Sequence, residues 1–349
     1  MDLGNDVSPI GSPTSIKNMV IVKYNADGTA LWARTVTGPA HDSVLNDIAV
    51  GSDGIYVAGY LWGCGTWDFG NSKYVTTTNG GYNPIIIKYD ANGLPQWVAT
   101  TVSGNSTNLY SISVYDEGIY VAGFMAGKFK VDFGNNATAT GYYSGLNPLL
   151  VKYNLSGIAQ WARTSVYNYS DLLFFSVSND NSSVCVSGGF MGITGVSFGE
   201  NITALGQSEN NNGILVKYSK NGDPIFCRSA VQGNFTNFFN SVEINDGAIY
   251  LSGTCNGYGS LELGNGVAIN TLGSQNPIVI KYNINGVAQW AKSTTTPIPG
   301  TAISFGTVID GNDIYVAGYM LNGACDFGND VRATGMASGN NFLLVKYYK

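Results

Sequence analysis

The sequence predicts an all-β fold, a β-propeller of four-stranded antiparallel blades. Three observations predict it: one phrase recurs at a fixed period, each period breaks into short strands separated by turn residues, and nothing resembles a helix. The phrase reads NPIIIKYDANGLPQW at 83–97, NPLLVKYNLSGIAQW at 147–161, NGILVKYSKNGDPIF at 212–226 and NPIVIKYNINGVAQW at 276–290. Near the ends it reads NMVIVKYNADGTALW at 18–32 and a truncated NFLLVKYY at 341–348. Its lysines, Lys23, Lys88, Lys152, Lys217, Lys281 and Lys346, stand 65, 64, 65, 64 and 65 residues apart. So regular a period belongs to a repeat architecture, in which each unit stacks on its neighbours to bury a core it cannot bury alone.

The unit that starts at Leu45 shows the elements in order. LNDIAV is a first strand, GSDG a turn and IYVAGYL a second strand; after a longer connection come IIIKYD, the turn ANG and QWVATTV. β-Branched and aromatic residues, alternation and Gly/Asn/Asp punctuation all favour hairpins. The glycine five residues after each marker lysine (Gly28, Gly93, Gly157, Gly222, Gly286) suits a turn that needs positive φ. In a propeller both faces of each sheet are covered by neighbouring blades, which explains strands such as IIIKY and ILVKY. A β-solenoid, the alternative, has shorter coils and lacks repeated hairpin turns.

Residues 1–349 thus form a single propeller domain of five repeats of about 65 residues plus a partial sixth. The strand count is two, then four complete blades, then three. A last blade completed by the N-terminal strand in ALWARTV would close a five-bladed ring. That leaves MVIVKY at 19–24 and FLLVKYY at 342–348 competing for a single place. A surplus strand lies at an outer edge or self-associates with another copy, as unpaired β edges tend to do.

Composition narrows the partners. Charged residues make up 11% of the chain against a usual quarter, Gly numbers 46 and the net charge is −6, so the surface is mostly neutral and polar. No basic run supplies the footprint that nucleic acid or an anionic membrane requires. No apolar run is long enough for a transmembrane helix. The opening MDLGND lacks signal-peptide character, yet DLGND matches DFGND at 326–330, as expected of a fragment of a longer product; a natural cytosolic start is the competing reading. The five cysteines form no CxxC pair and His41 is the only histidine, which argues against zinc and leaves the thiols as small filling residues.

The pattern IAV..dG.IYVAGY followed by hhhKYd.nG..qWa resembles the bacterial β-propeller repeat called the SBBP repeat. The resemblance covers nearly the whole chain, with VCVSGG in blade three and Phe226 for Trp in blade four as departures. It implies a surface or secreted bacterial setting, hence an extracellular location, and no common activity. The family's number of about seven blades does not carry over to five periods.

Among repeated motifs, DFG at 68–70, 132–134 and 326–328, with variants SFG at 197–199 and LELG at 261–264, lacks the accompanying kinase loops. It reads as a small hairpin between the second and third strands, with Phe or Leu packed under it. The acids Asp68, Asp132, Glu262 and Asp326 come one per blade, too sparse for calcium, and are expected to hold local backbone. The marker lysines are assigned to a hydrogen-bond network of the scaffold. No metal, cofactor or catalytic residue is assigned.

Function is expected on the long-loop face, where the connections from second to third strand and from each blade to the next emerge. Trp62, Trp67, Phe129, Tyr169 and Tyr258 are the ligand-binding candidates there, aromatic residues among neutral hydrogen-bonding groups that suit a glycan or a protein loop. At the channel mouth, Asn46, Tyr110, Phe175, Asn240 and Phe305 share one aligned position. The leading expectation is a non-enzymatic binding scaffold for a protein or glycan. The alternatives are a lectin with sugar sites between blades, and a glycoside hydrolase or lyase whose acids meet at the channel mouth.

Overall fold

A computed structural model of the chain describes residues 2–116, 118–199, 201–295, 301–321 and 323–349. The described residues contain strands, turns and irregular segments and no helix, so no helix is long and apolar enough to cross a membrane. The fold is of the β-propeller class, with five antiparallel blades whose strands follow chain order across the sheet, four strands in each of the first four and three in the sheet of the fifth. Blade one comprises Ser43–Gly51, Gly54–Trp62, Tyr82–Tyr89 and Pro95–Ala99. Blade two comprises Thr107–Tyr115, Gly118–Ala126, Leu146–Tyr153 and Ala159–Arg163. Blade three comprises Leu172–Asn179, Ser183–Met191, Asn211–Ser219 and Pro224–Arg228. Blade four comprises Thr236–Asn245, Ala248–Glu262, Ala268–Asn283 and Ala288–Lys292. Blade five supplies Ala302–Asp310, Asp313–Met320 and Asn341–Tyr348.

The chain divides into two compact units, residues 1–164 and 165–349. In the first, Tyr56, Ala58 and Ile86 of blade one share a core with Ile112 and Val121 of blade two. In the second, Cys185 and Leu215 of blade three pack with Val242, Leu251 and Ile280 of blade four, and Tyr250 and Val279 of blade four pack with Ile314 and Val316 of blade five. Where two blades meet, burying the facing sides of their sheets removes apolar area from water at roughly 25 cal/mol per Å².

Neighbouring blades are also bonded at their first strands. The Ile112 amide donates to Asp47 at 2.8 Å, Val242 to Ser176 at 3.2 Å and Thr307 to Ser241 at 3.1 Å. These side chains occupy the same position in blades one, three and four and satisfy amides that a sheet edge leaves unpaired.

The repeated Trp and the repeated turn Gly act together. Gly28, Gly93, Gly157, Gly222 and Gly286 have φ between 74° and 83°, the left-handed region in which Gly pays no Cβ penalty. A Cβ on Gly93 would sit 2.6 Å from Trp32, on Gly157 2.8 Å from Trp97 and on Gly286 2.7 Å from Phe226, so each turn is the seat of the preceding aromatic ring. The indole N–H of Trp97 donates to Leu155 O at 2.9 Å; Phe226 keeps the packing without that bond.

The two ends of the chain differ in their pairing. Ala30–Arg34 pairs with Ile21–Tyr24 in a two-stranded sheet, and Asn341–Tyr348 is the third strand of the blade-five sheet. Local closure explains the difference. The Asn25–Gly28 turn holds the hairpin together, and Lys23 Nζ and Trp32 Nε1 both donate to Ala91 O, at 3.0 and 3.2 Å, while Arg34 Nε donates to Gly93 O at 2.6 Å. The hairpin therefore lies on blade one as the outer half of a blade would.

The inserted hairpins form as expected, for example Gly65–Asp68 with Tyr74–Thr77 and Lys130–Asp132 with Thr138–Thr140; in blade four the insert is continuous with the main strands. Phe69, Phe133, Phe198 and Leu263 are buried beneath them. Asp68, Asp132 and Asp326 each accept the amide two residues on, at 2.7 to 2.8 Å, which is the local role expected of them. Lys23 and Lys217 bond carbonyls of the next turn, Ala91 and Ile284, whereas Lys88 and Lys346 pair with Asp53 and Asp313 at 2.5 and 2.6 Å. Burial pulls the Asp53 carboxyl upward, but the bonds from Lys88 and Tyr56 outweigh it and leave it below the usual carboxylate range. Cys185, Cys227, Cys255 and Cys325 are buried free thiols, and burial pushes Cys227 and Cys255 up to about 12; Cys64 is exposed.

Candidate functional site

A β-bulge recurs at one position in every blade. Leu45 pairs with Gly59 and Asp47 with Ala58, leaving Asn46 between them without a partner residue across the ladder. The same step leaves out Tyr110, Phe175, Asn240 and Phe305. The five residues aligned as the channel mouth are therefore the five bulge residues. Each bulge drives the first strand against the second, where Gly59, Gly123, Gly188, Gly253 and Gly318 sit; a Cβ there would lie 1.9 to 2.0 Å from a carbonyl oxygen. Bulges re-aim side chains and are common next to functional sites.

The bulge residues reach toward the next blade within each unit. Asn46 Nδ2 donates to Asn108 Oδ1 at 3.1 Å and Leu109 O at 2.7 Å. Asn240 Nδ2 donates to Ser304 O at 2.8 Å. Phe175 tilts against Phe238 of the next blade at 6.3 Å, whereas Phe305 tilts against Tyr319 of its own blade at 5.6 Å.

In the first unit this position opens onto an aromatic ribbon. Tyr82 meets Tyr60 at 4.8 Å, Trp62 at 4.7 Å and Phe124 at 5.9 Å, each nearly perpendicular, and Phe124 meets Tyr110 at 5.6 Å. Such edge-to-face pairs add about 0.5–1.5 kcal/mol each beyond area burial and hold the rings in fixed orientations. Trp62 remains 40% exposed at one end. Burial pushes the Tyr60 hydroxyl upward, with Tyr82 and Asp42 adding to it, and Tyr110 is pushed up by burial and by Tyr82 and Tyr60. Both phenols are thus neutral hydrogen-bonding groups at physiological pH.

The ribbon joins Trp62, a loop candidate, to Tyr110, a channel-mouth candidate. Tyr60, Tyr82 and Phe124 escape a sequence reading because they lie inside strands; the signal for them is register, since Trp62 and Tyr82 are direct cross-strand partners. The other loop candidates stand apart. Trp67 is corrected: it is 1% exposed, donates from Nε1 to Thr77 Oγ1 at 3.1 Å and forms the floor of the inserted hairpin rather than a ligand surface. Phe129 is exposed at the next inserted hairpin. Tyr169 is exposed and packs on Tyr167 at 4.4 Å. Tyr258, also exposed, borders an open cleft of about 850 Å³ that Asn270, Leu272 and Thr294 also line.

One acid stands out from the rest. Glu243, on the first strand of blade four, has its carboxyl pushed up to about 7 by burial, against the opposing pull of a hydrogen bond from Ser178. Among the described residues no three His, Cys, Asp or Glu side chains gather as a metal site would require.

No family model matches the chain, and no curated protein matches it. Among solved structures it is similar to BamB from Moraxella catarrhalis, at 11% identity and a TM-score of 0.37, over 85% of this chain and 75% of that one. It is also similar to the GH43 endo-arabinanase from Bacillus licheniformis, at 11% identity and a TM-score of 0.32, over 86% of this chain and 92% of that one.

Proposed function

We propose that the chain is a non-enzymatic recognition module whose binding surface is the ribbon of Tyr60, Trp62, Tyr82 and Tyr110, joined through the buried Phe124 ring, and that its ligand is a neutral glycan. One observation carries the reading: rings from two blades are locked edge to face into a continuous surface that ends in a half-exposed indole. Ordered ring faces stack on the apolar faces of sugars, and flanking amides and phenols orient the hydroxyls. Asn46, Asn108 and the Tyr hydroxyls supply those polar groups. The setting on a bacterial surface or secreted protein follows from the resemblance of the repeat, as part of the same proposal.

Screening the full chain on a glycan array tests it. Saturable binding to neutral glycans that Trp62→Ala weakens at least tenfold supports the reading. Binding that survives both Trp62→Ala and Tyr82→Ala, or a folded sample that binds no glycan, refutes it, and apolar protein loops then become the class to screen.

A further inference from the structure

The positions that make the ribbon in blade one carry different chemistry in blade four. Tyr60, Trp62 and Tyr82 correspond, strand for strand and register for register, to Thr254, Asn256 and Gln275: Trp62 pairs with Tyr82 as Asn256 pairs with Gln275, and Tyr60 follows Gly59 as Thr254 follows Gly253. Blades two and five also place a ring there, Phe124 and Tyr319. With Thr in place of a ring, blade four leaves a pocket of about 270 Å³.

Its walls are amphipathic. Phe175, Phe238, Phe305 and Ile303 supply its apolar lining, and Thr254, Asn256, Gln275 and Asn240 its polar lining. No charged side chain lines it, so an ionic ligand would lose its hydration without gaining a partner. Two of the polar groups are unsatisfied within the protein: Thr254 Oγ1, on a residue only 4% exposed, and Asn256 Oδ1 are buried without a hydrogen-bond partner. Buried polar atoms left unpaired are costly, and a ligand that settles against Thr254 and Asn256 and bonds them would recover that cost. The pocket is just below the roughly 300–1,000 Å³ of sites that hold drug-sized molecules, which limits the occupant to one small ring.

We infer that this pocket is a binding site for a single neutral pyranose, free or at the end of a glycan. A pyranose presents C–H faces to the Phe rings and hydroxyls that both donate and accept. Thr254, Asn256 and Gln275 can each do both. The site is separate from the ribbon and stands or falls independently of it.

The test is saturation-transfer NMR on the full chain with the methyl pyranosides of glucose, galactose, mannose and N-acetylglucosamine, and with acetamide as a probe of amide side chains. The expected result is saturable binding of at least one pyranoside, with a dissociation constant at or below about 10 mM, a range reached by weak one-ring ligands. Thr254→Tyr restores the ring that blades one and five carry and is expected to abolish binding while leaving the fold intact. Thr254→Val removes only the hydroxyl and is expected to weaken binding about tenfold, the scale of one lost buried hydrogen bond. Trp62→Ala is expected to leave this binding unchanged. Failure of every pyranoside to bind, binding of acetamide alone, or binding that survives both Thr254→Val and Gln275→Ala would overturn the inference.

Discussion

Replacing Asn147 by Ala should destabilise the first unit by about 3 kcal/mol. The residue opens the repeated phrase and is fully buried. Its Oδ1 accepts the amides of Tyr142 and Tyr143 at 2.9 and 2.7 Å, and its Nδ2 donates to Gly127 O and Tyr143 O at 3.1 and 2.9 Å. One side chain thus pins the connection between the second and third strands from four sides. Truncation leaves two amides and two carbonyls to be satisfied by whatever water can enter, at about 1–3 kcal/mol for each group that stays dry. Allowing water to reach part of the site gives the figure of about 3 kcal/mol, at the severe end for a single substitution. Urea unfolding followed by tryptophan fluorescence reads it as a lowered midpoint at unchanged slope. Asn147→Asp should be worse than Ala, because it keeps the acceptor and turns a carboxylate oxygen toward carbonyl oxygens. Asn341 makes the same bonds in blade five from a half-exposed position, to Ala337 O at 3.0 Å among others, so Asn341→Ala should cost less than about 1 kcal/mol. Equal costs at the two positions, or a loss below about 0.5 kcal/mol for Asn147→Ala, would refute the reasoning that burial of this network sets its value.

Three further outcomes are expected. Trp97→Phe should cost only about 1 kcal/mol, the net value of its bond to Leu155, because Phe226 already serves without one; Gly157→Ala should cost more, since its Cβ would lie 2.8 Å from the Trp97 ring. Denaturant titrations of the two variants would rank them. For Glu243 the folded-state pKa, about 7, lies above its ordinary value of 4.5, so its contribution to stability is full below about pH 4.5 and is lost as pH rises through 7. Glu243→Gln should flatten that part of the pH–stability curve, and a wild-type curve that rises between pH 5 and 7 with no difference from the variant would count against it. Gly123→Ala should fail to fold or lose several kcal/mol, because its Cβ would lie 1.9 Å from Asn108 O, as judged by thermal unfolding monitored by circular dichroism.

The blades were legible because their causes are local and repeated. Alternating apolar residues and the Asn/Asp–Gly turns specify each hairpin, and the even spacing of Lys23 to Lys346 specifies the stacking. The inserted hairpins could likewise be read from DFG, whose Asp staples the amide two residues on. The pairing of the terminal strands could not be read by counting, because the hairpin formed by Ile21–Tyr24 and Ala30–Arg34 is won by contacts to Ala91 and Gly93 that no strand count contains. The candidate site was half legible. Alignment put Tyr110 and its four equivalents at one position without showing that they are bulges, and a loop reading named Trp62 together with Trp67, which the inserted hairpin buries. Tyr82 was missed because its role depends on cross-strand register and on rings contributed by the next blade.

The most direct test of the ribbon as a recognition surface is hydrogen–deuterium exchange of the full chain with and without a neutral glycan that it binds. The account predicts protection concentrated at residues 60–62, 82–83 and 108–110, and its loss in Trp62→Ala. Protection confined to other blades, with these segments exchanging as in the free protein, would contradict it.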